Sequence, residues 1–103
     1  MYKMYVIVRE DMPKVYAAVQ GGHALAQWML DHPEESKEWS NGHLIYVKVA
    51  NIDKLKELVQ AMSIQAAYKN HSIFWEPDLK WEMTAVALVT YGDNPILRDL
   101  PLL

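Results

Sequence analysis

The sequence predicts a three-layer α/β sandwich, a mostly parallel sheet with helices on its faces. Three runs carry the strands: the apolar "MYVIV" at residues 4–8, "HLIYVKVA" at 43–50 and "MTAVALVTYG" at 83–92. Two stretches of helical periodicity follow the first two runs, so the order is strand, helix, strand, helix, strand, strand. A strand–helix–strand unit returns by a right-handed crossover and lays its strands parallel.

The first strand is expected near 3–9, because Met4–Val8 is an unbroken apolar run suited to a strand buried on both faces. Asp11 reads as a helix N-cap and Pro13 as a first-turn residue, which starts a helix near 12–31. Pro33 stops it. "PEESKEWSNG" is a polar connection with room for one helical turn. In the second strand, near 43–49, Leu44, Tyr46 and Lys48 face one way and Ile45, Val47 and Val49 the other. Asn51 caps a second helix near 51–63, where Ile52, Leu55, Leu58, Val59 and Met62 recur at helical spacing. The third strand is placed either at Ala66–Lys69 or at Ile73–Trp75. "EPDLKWE" reads as a loop, and a last strand runs near 84–91. The tail "DNPILRDLPLL" has no periodicity and packs without regular structure.

With 103 residues the chain is read as one domain over 1–103. It holds no cysteine, so no disulfide or thiolate site is available. The N-terminal apolar run is too short for a leader or a membrane span, and a cytoplasmic location is expected. Net charge is −3, against the basic surplus typical of a duplex-binding protein. No two histidines stand at metal-ligand spacing, and neither a metal nor another cofactor is expected.

The stretch "VYAAVQGGHALAQWM" at 15–29 carries two glycines, each costing a helix interior about 1 kcal/mol relative to alanine. Tyr16, Gln20, His23 and Gln27 form one polar stripe at spacings of four, three and four. Val15, Ala18, Val19, Gly22, Ala26 and Met29 are then expected to face the sheet. Gly22 would seat the helix on the strands, and Gly21 would leave room for a ligand beside His23. A lone helical histidine is more often a surface or hydrogen-bonding residue than a chemical one. Lys14 stands where a helix N-terminus and its dipole favour a phosphate or an oxyanion. In "FWEPDLKWEMT", Glu76, Asp78, Glu82 and Thr84 crowd a short segment interleaved with Trp75 and Trp81. Tryptophans in a loop either form an apolar lid or stack on a ligand.

Taken in order, "VIVRED" (6–11), "QGGHA" (20–24), "LIYVKVAN" (44–51) and "TAVAL" (84–88) resemble the type II peptidyl-tRNA hydrolase family over about residues 2–92. The resemblance implies a mixed four-stranded sheet of order 2-1-4-3 between helices, and a homodimer. It implies a catalytic lysine at the helix start, for which Lys14 is the candidate, an aspartate replaced by Glu76 or Asp78, and a threonine at Thr84. Counting back from Gln20 places Tyr16 where a family lysine would stand. The family's lysine-rich approach to the helix is shortened to "MPK", and its glycine-rich loop is replaced by "EPDLKWEM".

Two functions follow. As a hydrolase, the chain would cleave a peptidyl-tRNA-type ester or a smaller nucleotide-derived substrate with Lys14, Glu76 or Asp78, and Thr84. Gln20, His23, Trp75 and Trp81 would contact the ligand. As a binding protein, it would sequester a small nucleotide, with Trp75 and Trp81 on the base and Lys14 on a phosphate. In both, a homodimer is expected, because four Trp and six Tyr exceed what so small a core hides. Ten basic residues suit a small ligand or the acceptor end of a tRNA, not a long backbone track.

Overall fold

The computed structural model describes residues 2–63 and 70–103. Its elements are β1 (Tyr2–Arg9), α1 (Lys14–Asp31), α2 (Pro33–Trp39), β2 (His43–Val49), α3 (Ile52–Ser63), β3 (His71–Glu76), β4 (Glu82–Tyr91) and α4 (Pro95–Arg98). The four strands form one mixed sheet of order β2-β1-β4-β3, the order the resemblance implied. The mostly parallel pairing read from the alternation of strands and helices is not found. β1 pairs parallel with β2, but β4 pairs antiparallel with both β1 and β3. The reason is topological. β1, β2 and β3 do run in one direction, as two crossovers require, and β4 inserts between β1 and β3 in the opposite sense.

The unbroken apolar run of β1 is explained by burial on both faces. Met4, Val6 and Val8 pack under α1 with Ala17, Ala24 and Trp28. Tyr5 and Ile7 pack on the other face with Leu55, Val59 and Met62 of α3. α3 is amphipathic as its spacing predicts, and Asn51 caps it, its Oδ1 accepting from the Lys54 backbone N–H at 3.1 Å.

Three local expectations are corrected, and one open alternative is resolved. Asp11 is not the cap of α1; Pro13 holds that position without a side-chain hydrogen bond, and Asp11 pairs with Arg9 instead. The polar connection is a seven-residue helix, with Pro33 in its first turn and Glu34 and Glu35 at its positive end. Trp39 anchors it, donating from Nε1 to the His43 carbonyl at 2.9 Å. Of the two sites for a third strand, Ile73–Trp75 falls within β3, whereas Ala66–Lys69 lies outside the described residues. The tail is ordered. Leu97 is buried in the α3-side core, and Pro101 and Leu103 bond to Lys48 and Tyr46 along the outer edge of β2. That edge would otherwise present unpaired backbone groups.

The orientation of α1 is the correction with most bearing on function. Its buried residues are Ala17, Gln20, Gly21, Ala24 and Trp28. Val15 and Val19, expected to face the sheet, are 79% and 52% exposed. The glycines exchange roles too. A Cβ on Gly21 would lie 2.6 Å from the Tyr46 ring, 2.9 Å from Val6 and 3.0 Å from Val8, whereas one on Gly22 would meet nothing within 4 Å. The row Ala17–Gly21–Ala24 therefore lets the helix backbone approach β1, and the helix turns to put that row inward.

Candidate active site

With α1 turned this way, its polar stripe lies along edge strand β3. The side chains of β3 that meet it alternate with period two. Tyr16 and Gln20 reach Glu76. His23 stacks on Phe74 with ring centroids 4.6 Å apart and planes 14° apart. Gln27 and Ser72 both donate to Asp31, each at 2.8 Å, and these bonds hold the Asp31 carboxyl below its usual range.

Thr84 joins this flank because of an irregularity in β4. Phe74 pairs with Ala85 and Trp75 with Met83, so Thr84 is the extra residue of a bulge. Met83 belongs to the α3-side core and Ala85 to the α1-side core. The bulge thus turns both Thr84 and Ala85 towards α1. There the Thr84 hydroxyl donates to Gln20 Oε1 at 2.7 Å, and Gln20 Nε2 donates to Glu76 Oε1 at 3.1 Å. Tyr16 donates to the same Oε1 at 3.5 Å. Gln20 and Thr84 are 1% and 0% exposed. A buried amide with both ends bonded has one orientation, so it fixes the carboxylate it holds. The second oxygen of Glu76 accepts nothing among the described residues.

The hairpin carrying Glu76 and Thr84 is fastened from below. Its turn passes through Pro77–Leu79 and then through Lys80 and Trp81, both with positive φ. Arg9, 7% exposed at the end of β1, holds the base of this turn. It donates from Nε and Nη2 to the two oxygens of Asp11 at 3.0 and 2.9 Å, and from Nη1 to Glu82 at 2.6 Å and the Met83 carbonyl at 3.2 Å. Both carboxylates are tied to one guanidinium. Arg9 holds the Asp11 carboxyl below its usual range. The clamp joins the loop before α1 to the start of β4, and so fixes helix and hairpin relative to each other. The clamp is hidden in the sequence because Asp11 also fits the position of a helix cap.

The expected site residues are thus divided. Gln20, Glu76 and Thr84 form one bonded line, with His23 beside it on Phe74. Asp78 is exposed in the turn; its charge acts on Tyr16, whose phenol is raised by burial, then by Glu76 and by Asp78. Trp75 pairs with Met83 and belongs to the opposite face of the sheet, and Trp81 is 65% exposed at the turn. Lys14 is exposed at the start of α1 on the other flank. It lines an open groove of about 830 Å³ with Val15, Val19, Leu44 and Leu102. Tyr16 was missed as a site residue. Its signal was the four-residue spacing to Gln20, which aims both at one place.

A three-layer α/β protein with a carboxylate held by its first helix is the class that fold and site define. The family model of peptidyl-tRNA hydrolase PTH2 matches residues 2–76, and the chain belongs to that family. The match takes in β1 to β3 with Gln20, His23 and Glu76, and ends before Thr84. Comparison with curated proteins gives no match. Among the described residues, no helix is long and apolar enough to cross a membrane.

Proposed function

We propose that the chain hydrolyses a peptidyl-tRNA-type ester at Glu76, and that Gln20 and Thr84 hold this residue in position. The observation that supports it best is the buried Gln20 amide, which binds one oxygen of Glu76 while the other accepts nothing among the described residues. Such a carboxylate can take a proton from water as the water attacks the ester carbonyl. Lys14, at the same end of α1 though on its other flank, supplies charge for a phosphate of the acceptor end. The binding alternative has less support, since Trp75, Trp81 and Lys14 do not surround one space.

The same reading includes a pocket that takes the acceptor end rather than a whole tRNA. Arg9 is consumed by Asp11 and Glu82, and Lys3 by Asp93 at the opposite end of β1. Lys69 lies outside the described residues. Of the basic residues expected near the cleft, Lys14 and Lys80 then remain for phosphate among the described residues, against about 6–10 contacts in tight binders. It also includes a cytoplasmic homodimer, the second copy covering Val15, Val19, Leu44 and Leu102, which are 79%, 52%, 44% and 70% exposed. Apolar surface of this extent favours association.

The experiment is to incubate the chain with N-blocked aminoacyl-tRNA and, separately, with a panel of small nucleotides, scoring products and bound ligand. Release of deacylated tRNA and the blocked amino acid is expected. Tight retention of an unchanged nucleotide with no ester cleavage would overturn the hydrolase reading. Deacylated tRNA should bind weakly at physiological salt, and a log–log salt slope steeper than about −5 would contradict the small pocket.

A further inference from the structure

We propose that Tyr16 is the proton donor to the leaving oxygen of the ester, working as a pair with Glu76; this rests on the hydrolase reading above. Ester hydrolysis needs two proton movements, one from the attacking water and one to the departing alkoxide. Glu76 can serve the first. For the second, the donor must stand beside Glu76, carry its proton at neutral pH, and reach the ligand.

Gln20 is beside Glu76 but is buried and carries no acidic proton. His23 is stacked on Phe74, which Glu76 follows by two residues, and Lys14 is on the other flank of the helix. Tyr16 meets all three requirements. Its hydroxyl lies 3.5 Å from Glu76 Oε1, and the residue is only half-buried at the mouth of the bonded line. Burial and the charges of Glu76 and Asp78 keep the phenol protonated well past neutrality. With an ordinary pKa of about 10, a phenol is also a far stronger acid than water at about 15.7.

The step balances without a further reactant. The water oxygen bonds to the carbonyl carbon while its proton goes to the Glu76 carboxylate. The carbon–oxygen ester bond then breaks, its electron pair leaves on the ribose oxygen, and the Tyr16 proton passes to that oxygen. Glu76 returns its proton to the phenolate, and the pair is reset.

The test compares wild type and Tyr16→Phe on N-blocked aminoacyl-tRNA and on a nitrophenyl ester of the same blocked amino acid. The nitrophenolate needs no proton to leave. Tyr16→Phe should lose about 10²-fold or more in kcat/KM on the tRNA ester, lose the alkaline limb of its pH profile, and keep wild-type rates on the nitrophenyl ester. An equal loss on both esters would show that Tyr16 only positions Glu76. An unchanged rate on the tRNA ester would remove it from the reaction, with the hydrolase reading left standing. A wild type that leaves the tRNA ester intact would overturn both.

Discussion

The two flanks of α1 are built from the same helix and differ in nearly everything else. Towards β3 it presents Tyr16, Gln20, His23 and Gln27, and meets Glu76, Phe74 and Ser72 in bonded or stacked pairs. Towards β2 it presents Lys14, Val15 and Val19 beside Leu44 and Leu102, an apolar groove open to water. Between them runs the small-residue row that seats the helix on β1. Polar side chains on a helix facing a sheet are costly unless satisfied. The β3 flank satisfies them with a carboxylate at its end, whereas the β2 flank leaves apolar groups exposed. On the function proposed above, the first flank is the place for chemistry and the second the place for association.

The largest expected effect separates the flanks directly. Val15→Glu combined with Val19→Glu should convert the proposed homodimer to a monomer by light scattering at micromolar concentration. Both sites are exposed, so folding should change by only about 0.5 kcal/mol per site, and the rate on a nitrophenyl ester, which offers Lys14 no phosphate, should persist. A dimer that survives the double change would move the interface elsewhere.

The seat between the flanks is probed by the glycine pair. Gly21→Ala forces a methyl group against Tyr46, Val6 and Val8. The overpacking cost of about 1–3 kcal/mol exceeds the helix-propensity gain of about 1, so a net loss of stability is expected in thermal or urea unfolding. Gly22→Ala meets open space and should stabilise by up to about 1 kcal/mol. Reversed signs would mean that the helix sits in the rotation its valines suggested.

A smaller effect comes from the clamp under the hairpin. The Asp11 carboxyl is lowered by Arg9, so its folded value lies below the unfolded value of about 3.9. Its stabilising contribution is therefore present above that value and lost as pH falls through the lower, folded one. Asp11→Asn should flatten the acid limb of stability against pH below about 4, with little change at pH 7 in the slope of that curve. An unaltered acid limb would show that Asp11 contributes nothing through ionisation.

Much of this architecture was legible in the residues. Apolar runs and caps located β1, β2, β4 and α3, because those signals are local. The antiparallel insertion of β4 was not readable from alternation, since crossover direction says nothing of which strand enters between two others; the resemblance supplied it. The rotation of α1 was misread because Val15, Val19 and Met29 look like core by hydropathy. The row of Ala17, Gly21 and Ala24 decided the matter through close approach, which hydropathy does not measure. Glu76, Gln20 and Thr84 were named without their connection. That connection depends on a bulge that re-aims Thr84, and a bulge leaves no mark in a run such as "EMTAVAL". Arg9 was hidden by a competing use for Asp11.

The central claim is that the β3 flank, with Glu76 at its end, performs the hydrolysis. Its most direct test is kcat/KM for N-blocked aminoacyl-tRNA in Glu76→Gln, which keeps the size of the side chain and removes its basicity. A fall of about 10²-fold or more, with thermal unfolding close to wild type, is the predicted result. A Glu76→Gln protein that is folded and cleaves the ester at the wild-type rate would contradict the account.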